Sequence, residues 1–268
     1  MKDLAQYGTE NYPIHPSGIR LLLTCPWRSA MLYLYGDDGE GGQAGDTGTA
    51  THVAAAEMHR GADTAACLRA MSSGITKYPR ADLQDAAAMF LSYATDSRNK
   101  NAKIVLIEAK IQFQIEPAPE DPTQAPIQVT GTLDQVREVN GALKLFDIKT
   151  SKKDALLILH HTTFQAAAYC MGASILLGKR VEPGAVITPR KYAGKDPSTA
   201  PVFWHFPWTF DDVEQILNSV RHAIANVRKG NLYHVPNADC EWCAAKSPDI
   251  CLPKLQTELK LRKSAVQK

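Results

Sequence analysis

VTGTLDQVREVNGALKLFDIKTS, residues 129–151, is the stretch that decides the fold. Within it, Asn140 and Gly141 separate two alternating runs, and this dipeptide is the strongest short-range signal for a two-residue β-hairpin turn. Counting outward from that turn places Asp134 directly opposite Asp147. Like charges that face each other across a hairpin are destabilising. The pattern therefore predicts a cation or a proton between the two carboxylates.

Lys149 follows Asp147 by two residues and is therefore expected on the same face of the sheet. Two carboxylates and an ammonium group on one face suit a divalent metal ion with an activated water molecule. Oxygen ligands favour Mg²⁺ or Mn²⁺ over zinc. The alternative is a solvent-exposed strand whose charges pair at the surface, which an isolated Asp-x-Lys pattern would not distinguish.

The segments on either side of the hairpin predict an α/β fold with helical additions at both ends. β-Branched or alternating runs predict strands at residues 104–115, 127–139, 142–149, 184–189 and 201–207. Alanine-rich or amphipathic runs predict helices at residues 17–35 (with a break at Cys25-Pro26), 49–72, 80–98, 154–177 and 210–229. The glycine-rich residues 36–48 predict a loop.

The composition indicates a globular protein with a sizeable core. The chain has 268 residues, of which 44% are hydrophobic and 22% charged, close to the globular average. Its formal net charge of +2 is far from that of strongly basic nucleic-acid coat proteins, so any nucleic-acid site must be a local patch. The sequence has no apolar leader and no stretch near the ~18 apolar residues that a membrane span needs. We therefore expect a cytoplasmic protein without a membrane segment.

Residues 252–268 form a basic C-terminal tail with five basic residues and one acidic residue. A tail of this kind can follow a phosphate backbone. It can equally be a solvated, frayed terminus. The sequence leaves both interpretations open.

Two further motifs flank the hairpin in the order of a known family. Gly48-Thr-Ala-Thr-His52 precedes it, and Gln165-Ala-Ala-Ala-Tyr169 follows it. With Gly131-Thr-Leu-Asp134 and Asp147-Ile-Lys149, these motifs resemble the RecB-like nuclease family of the PD-(D/E)XK superfamily. The resemblance implies a restriction-endonuclease-like core, a mixed central sheet flanked by helices, with helical N-terminal and cysteine-bearing C-terminal additions.

The same resemblance implies roles for the motif residues. The implied metal ligands are His52, Asp134, Asp147 and the backbone carbonyl of Ile148. The implied catalytic residues are Lys149, Asp134, Asp147, Gln165 and Tyr169. In this scheme Lys149 positions the water, while Gln165 and Tyr169 orient the Lys149 end of the site or the DNA phosphate. Glu108, in the predicted strand 104–115, is either an outer acidic residue of the site or an ordinary edge-strand charge.

Four of the six cysteines suggest a second metal centre. Cys240-x2-Cys243-x7-Cys251 follows a turn-rich break and Cys25 stands alone near the N-terminus, a spacing that suits either zinc or an iron–sulfur cluster. Ser17-x-Ile-x-x-Leu-x-x-Cys25-Pro26 and the one-plus-three cysteine order resemble the iron–sulfur branch of the RecB-like nucleases, which includes a CRISPR-associated single-strand DNA exonuclease. That resemblance implies a [4Fe–4S] cluster bound by Cys25, Cys240, Cys243 and Cys251. It also implies one nuclease domain over residues 1–251, with an iron–sulfur annex formed near residues 17–35 and 236–253.

The function that follows from these motifs is a metal-dependent DNA exonuclease acting on single-stranded DNA or DNA ends, in recombination and repair or in CRISPR adaptation. The alternatives are a non-catalytic DNA-binding subunit and an iron–sulfur electron carrier. No G-x-x-x-x-G-K-[ST] loop occurs in the sequence, so any ATP-driven unwinding must come from a partner. The expected partners are DNA, a helicase, recombinase or CRISPR-adaptation protein, and a second copy of the chain.

Overall fold

The protein is built around a five-stranded mixed sheet. The computed structural model describes residues 3–35, 43–75, 83–117, 121, 124–150, 155–190 and 200–232. The strands are β1 (Lys103–Ile115), β2 (Ile127–Val139), β3 (Ala142–Ile148), β4 (Val181–Thr188) and β5 (Val202–His205). They lie in sequence order across the sheet, and every neighbouring pair is antiparallel except β3 and β4, which are parallel.

The β2–β3 hairpin has the register that the sequence predicts. Val139 pairs with Ala142 across the turn, and the ladder continues outward to the pair Gln135–Phe146. Asn140 and Gly141 have φ values of 52° and 80°. Both lie in the left-handed region that a two-residue hairpin turn of this kind requires. The turn prediction is confirmed.

Eight α-helices lie in the described part of the chain. They are α1 (Pro16–Thr24), α2 (Pro26–Tyr35), α3 (Gln43–His59), α4 (Thr64–Ala70), α5 (Leu83–Thr95), α6 (Ser97–Lys100), α7 (Ala155–Leu177) and α8 (Val213–Arg228). Short 3₁₀ turns cover Leu4–Gln6, Met71–Gly74 and Phe210–Asp212. The predicted break at Cys25-Pro26 is confirmed, because α1 ends at Thr24 and Pro26 begins α2.

The helical boundaries differ from the prediction in three places: the loop 36–48 and the helices 49–72 and 80–98. The predicted loop at residues 36–48 is too long, since α3 already begins at Gln43. The predicted helix 49–72 is two helices: Gly61 has a φ of 94° after the end of α3, and the Asp63 carboxylate accepts from the Ala66 amide to begin α4. Asp96 caps α6 in the same way, by accepting from the Arg98 amide. These capping side chains override the alanine-rich composition.

Helices cover both faces of the sheet. On one face, α1, α7 and α8 pack in a large buried cluster with Leu133, Val136 and Leu145 of the hairpin. On the other face, Ala55 of α3 and Tyr93 of α5 pack against Phe146 and Ile148 of β3. The result is the expected α/β architecture of a mixed sheet flanked by helices. Within the described residues, no helix combines the length and apolar character needed to cross a membrane.

The cysteine predictions can be followed only in part. Cys67 and Cys170, which are not among the four predicted cluster ligands, are buried free thiols. Cys25 is a half-buried free thiol at the junction of α1 and α2. Cys240, Cys243 and Cys251 lie outside the described residues.

Candidate active site

Three neighbouring strands each bring one acidic residue to the same region. In the β1–β2 ladder, Ile107 pairs with Gln135 and Ala109 with Leu133, so Glu108 lies at the level of Asp134. In the β2–β3 ladder the last pair is Gln135–Phe146, one step before Asp134 and Asp147. The acids Glu108, Asp134 and Asp147 therefore form a row across β1, β2 and β3.

His52 joins the first two of these acids from α3. Its Nδ1 lies 3.4 Å from Asp134 Oδ1 and 3.8 Å from Glu108 Oε1. One ligand atom from each of His52, Glu108 and Asp134 lies within 4.8 Å of the others, a spacing suited to one metal ion. We call these three residues the acidic triad. It consists of two carboxylates and one imidazole and differs from the row of three acids, which contains Asp147 in place of His52. The structure thus favours the first of the two interpretations of Glu108, an acidic residue of the site.

Gly48, the first residue of the motif that ends at His52, allows α3 to approach the end of β3. A Cβ atom at this position would lie 2.8 Å from Thr150 Oγ1. Any larger residue would push the helix away from the strand end unless the threonine moved. The spacing of this motif therefore has a structural explanation. Gly48, at the first position, makes the close contact with Thr150, and His52, at the last position, directs its side chain at the acids.

Asp147 lies beside the acidic triad and forms an ion pair with Lys149. Lys149 Nζ lies 3.0 Å from Asp147 Oδ1 and 2.9 Å from Oδ2. Asp147 is 2% exposed, and its Oδ2 accepts no well-aligned hydrogen bond despite the short distance to the ammonium group. The contact between Lys149 Nζ and Asp147 Oδ2 is therefore an ion pair without hydrogen-bond geometry, and Lys149 is the positive partner of this buried carboxylate.

The backbone of β3 contributes to the site at Ile148. Its amide donates a hydrogen bond of 2.6 Å to Asp134 Oδ2, so one carboxylate oxygen of Asp134 is fixed by the strand while Oδ1 faces His52. This bond crosses the hairpin at the end of the regular ladder. The assignment of the Ile148 carbonyl as a metal ligand remains a prediction.

Gln165 and Tyr169 reach the site from α7, on the opposite face from α3. Gln165 Nε2 donates to Asp147 Oδ1 and to the Tyr169 hydroxyl, both at 3.4 Å. Both side chains face the same way because they are four residues apart on one helix. Gln165 therefore contacts the Asp147–Lys149 end of the site and Tyr169 contacts Gln165, while the catalytic roles that the resemblance implies for both residues remain predictions.

The charges of the site shift the pKa values of its members. Burial lowers the pKa of the His52 imidazole, but Asp134 and Glu108 outweigh burial and raise this pKa to about 10. Burial acts to raise the pKa of Asp134, and the positive charges of His52 and Lys149 outweigh it, so the pKa is lowered. Burial raises the pKa of Asp147 to about 6 against the opposing effect of Lys149. The net result is a protonated imidazole held between two acids.

This arrangement fits a divalent cation. Two carboxylates that raise a neighbouring histidine pKa so far form a site of strongly negative potential, which a bound cation would neutralise in place of the imidazole proton. Carboxylate oxygens suit Mg²⁺ and Mn²⁺, while an imidazole nitrogen suits later transition metals. The donor set of two acids and one histidine is therefore compatible with the predicted Mg²⁺ or Mn²⁺, with Mn²⁺ the better match of the two.

A buried polar network holds α3 in place beside the triad. The Tyr93 hydroxyl of α5 lies 2.6 Å from His59 Nε2, which is two helical turns beyond His52 on α3. The same hydroxyl accepts from Gln135 Nε2 at 2.8 Å and from Arg137 Nη2 at 3.0 Å, both on β2. Gln135 is the residue next to Asp134. The network therefore ties the helix that carries His52 to the strand that carries Asp134.

Arg137 is the charged centre of this network and is 2% exposed. It also donates to Asn99 Oδ1 at 2.9 Å and lies 4.4 Å from the centroid of the Phe146 ring. Burial lowers the pKa of Arg137. Sequence reasoning did not identify this network, because its members are common polar residues on four separate elements with no shared spacing.

Comparisons with known proteins point to one family. A family model described as the PD-(D/E)XK nuclease superfamily matches residues 13–251. Among solved structures, the crystal structure of SSO0001 is similar with a TM-score of 0.45 and 16% sequence identity, covering 94% of this chain and 93% of that chain. A likeness at this level carries no argument. No curated protein gave a significant match.

Proposed function

The chain belongs to the PD-(D/E)XK nuclease superfamily, and from this premise we propose that it is a metal-dependent deoxyribonuclease that acts as an exonuclease on single-stranded DNA or DNA ends. The observation that carries the proposal is the placement of the acidic triad directly beside the Asp147–Lys149 pair. A cation site and a half-buried ammonium group beside one acidic row would provide two positive charges that can stabilise the transition state of phosphodiester hydrolysis.

We assign the metal to His52, Glu108 and Asp134, with Asp147 and the Ile148 carbonyl as the remaining candidate ligands. In this class of chemistry a divalent ion polarises the phosphate and lowers the pKa of a bound water molecule. His52 must release its proton from the nitrogen that binds the metal. Asp134 is prepared for binding, since the Ile148 amide already fixes one of its carboxylate oxygens.

Lys149 supplies the second positive charge. Burial lowers its pKa, but Asp147 and Asp134 outweigh burial and raise it, so the ammonium group stays charged at neutral pH. Its side chain is 30% exposed, which leaves it accessible from the solvent side. From this position Lys149 would donate hydrogen bonds to the attacking water or to the phosphate oxygens as negative charge develops.

Gln165 and Tyr169 are proposed to hold Asp147 and thereby Lys149 in position. The Gln165 amide donates to the oxygen of Asp147 that also receives the Lys149 hydrogen bond. Fixing that carboxylate limits the directions in which Lys149 can point. This role involves no contact with the reacting atoms, so these two residues would be positioning residues.

Assays on end-labelled DNA test the proposed function. We expect wild-type protein to degrade linear single-stranded DNA in Mn²⁺ or Mg²⁺, to leave covalently closed circles intact, and to be inactive in chelator. Asp134→Asn and Lys149→Ala should each abolish cleavage. Cleavage of closed circles would show an endonuclease. Metal-dependent binding of DNA without any cleavage would establish the non-catalytic DNA-binding subunit instead.

The finer assignment within the superfamily is the iron–sulfur branch of the RecB-like nucleases. We propose a [4Fe–4S] cluster on Cys25, Cys240, Cys243 and Cys251, supported by the resemblance and by the free, half-buried thiol of Cys25. Protein purified without oxygen should be brown with about four irons per chain, and Cys240→Ala should remove the colour. Cys170→Ala is the matched control, since Cys170 is buried in α7. Colourless protein with one zinc per chain would contradict the cluster.

The proposed setting is recombination and repair or CRISPR adaptation, with a helicase, recombinase or CRISPR-adaptation protein as partner. The direct test is co-purification of a tagged chain from its host. The Asp134→Asn variant should be used, because an inactive protein retains the assemblies that are bound to substrate. Recovery of the chain with DNA but without any such protein would remove this part of the proposal.

A further inference from the structure

A cavity of about 520 Å³ lies between the N-terminal segment and helices α1 and α2. This volume is in the range of pockets that bind small organic groups. Its lining is mainly apolar, with the aromatic rings of Tyr12 and Tyr33, the imidazole of His15, and the exposed polar residues Asn11 and Ser17. Among the described residues that line the cavity, no side chain is acidic, so its lining does not repel a polyanion.

Two of the lining rings already form a stacked pair. The rings of His15 and Tyr33 have centroids 6.0 Å apart and planes inclined by 30°. The Tyr33 hydroxyl accepts a hydrogen bond of 3.1 Å from the His15 amide, which holds the tyrosine ring against the segment that precedes α1. Two ordered rings inclined by 30° present aromatic faces on which another planar ring can stack at little cost in conformational entropy.

The cavity wall is attached directly to the strand that carries Asp134. His15 Nδ1 lies 2.9 Å from the Thr130 carbonyl oxygen, and Ile14 forms a parallel bridge with Val129 of β2. Thr130 precedes Asp134 by four residues, a distance of roughly 13 Å along a strand. A short stretch of extended polymer could therefore occupy both the cavity and the acidic row.

A second connection runs through α7. A Cβ atom at Gly131 would lie 2.8 Å from Pro16 Cδ and 3.4 Å from Tyr169 Cε1, so the start of α1, β2 and Tyr169 meet at this point. Tyr169 in turn contacts Gln165, which donates to Asp147. The cavity and the acidic row are thus two ends of one packed group of side chains.

We propose that this cavity receives an unpaired nucleotide of the strand that is being cleaved, with its base stacked on the Tyr33 and His15 pair and its polar edge near Asn11 and Ser17. The inference rests on the proposed nuclease function and adds to it the site at which an unpaired base of the substrate is recognised. A base held in a duplex is already stacked and paired, so only a single strand can insert a base without first breaking those interactions. The cavity therefore selects single-stranded nucleic acid.

The test measures the hydrolysis of two substrates by each protein, wild type and variants alike. Bis(p-nitrophenyl) phosphate reports the chemical step alone, while a single-stranded oligonucleotide also needs the cavity. Ser17→Trp fills the cavity from an exposed lining position, and Asn11→Trp does so from a second one. We expect the ratio of kcat/KM for the oligonucleotide to that for the small ester to fall about tenfold or more in each variant, the loss expected when one base no longer stacks. Ile175→Trp, at a 55% exposed position of α7, is the matched control and should keep the wild-type ratio.

Photo-crosslinking uses only the wild-type protein, so its result does not depend on whether the tryptophan variants fold. An oligonucleotide carrying iododeoxyuridine should crosslink in chelator to the peptides that contain Tyr12 or Tyr33. Wild-type ratios in both tryptophan variants, or crosslinks confined to other peptides, would overturn the cavity assignment and leave the nuclease proposal intact. Failure of the wild type to hydrolyse either substrate would instead overturn the nuclease proposal.

Discussion

Glu108 has a backbone φ of 44°, in the left-handed region that residues other than glycine rarely adopt. It follows a register shift between Ile104 and Leu106 in β1. A residue held in this region costs about 1–3 kcal/mol and persists only where the surrounding structure imposes it. The strain coincides with the point at which Glu108 lies beside Asp134 and His52. We interpret it as the backbone distortion that brings a third strand's carboxylate into the site.

Replacing Glu108 by glutamine tests this interpretation. The amide keeps the shape but removes one negative charge from the acidic triad, so Mn²⁺ affinity measured by titration calorimetry should fall about tenfold or more, within the usual range for a perturbed metal site. Glu116→Gln, at an exposed position just after β1, is the control and should bind Mn²⁺ as wild type does. Unchanged Mn²⁺ affinity in Glu108→Gln would show that Glu108 is an ordinary edge-strand charge and not a metal ligand.

Asp134 and Lys149 should differ in how their replacement affects metal binding. Added Mn²⁺ should raise the Tm of Lys149→Ala nearly as much as that of wild type, because Lys149 pairs with Asp147 and lies outside the triad. Asp134→Asn should lose most of that stabilisation. Both variants should be inactive on single-stranded DNA. Equal metal stabilisation of all three proteins would show that these acids are not the metal site.

At the scale of elements, the site depends on how α3 is fixed to β2. The Tyr93 hydroxyl receives hydrogen bonds from Gln135 and Arg137 and contacts His59, so one buried group joins α3, α5 and β2. Burial and the charge of Arg137 lower the pKa of His59 from 6.5 to about 4. His59 is therefore neutral in the folded protein at physiological pH.

This shift predicts a loss of stability in mild acid. Because the unfolded chain binds a proton at His59 more tightly than the folded one, the contribution of His59 is fully present above pH 6.5 and is lost as the pH falls from 6.5 towards 4. Urea unfolding at several pH values should show a steeper loss for wild type than for His59→Gln in this window. Asp147, whose pKa is raised to about 6, instead adds to the stability of the folded protein as the pH falls. This contribution is present in both wild type and His59→Gln, so it cancels when the two stability curves are subtracted. If the stability of wild type and of His59→Gln falls equally between pH 6.5 and 4, His59 is not the group that titrates in this window.

At the scale of the whole molecule, the sheet brings together elements that are distant in the chain. The acidic row takes one residue from each of three strands, His52 comes from a helix on one face, and Gln165 comes from a helix on the other. The basic tail, residues 252–268, lies outside the described part of the chain, and the sequence leaves open whether it binds the DNA backbone or is a solvated terminus.

Deleting residues 254–268 tests whether the tail binds the DNA backbone. If the tail binds phosphates, single-strand affinity measured in chelator should weaken, and the log–log slope of its salt dependence should flatten by ~0.7 for each phosphate that the tail neutralises in the full-length protein. A full-length variant with the five basic residues of the tail changed to glutamine separates charge from length and should behave like the deletion. An unchanged slope in both proteins would identify the tail as a solvated terminus.

The sequence by itself determined the hairpin and the nearness of the charged and polar residues of the candidate site. Asn140 and Gly141 accept positive φ values at little cost, and the pleat alternates side chains strictly, so turn and register follow from local chemistry. The same local rule puts Lys149 on the side of Asp147, and helical spacing puts Gln165 beside Tyr169. Each of these relations spans only a few residues within or next to one element.

Only the tertiary structure decided which groups complete the site. Glu108 reaches Asp134 because β1 pairs with β2 across an intervening loop and shifts its register before that point, which no local pattern encodes. The position of His52 depends on the packing of α3 against the end of β3 at Gly48 and on the bonds of Tyr93 to β2. These interactions join residues tens of positions apart, and their geometry is fixed by packing and by the need of buried polar groups for partners. For that reason the sequence left Glu108 open between two roles, while the folded chain places it in the row of acids.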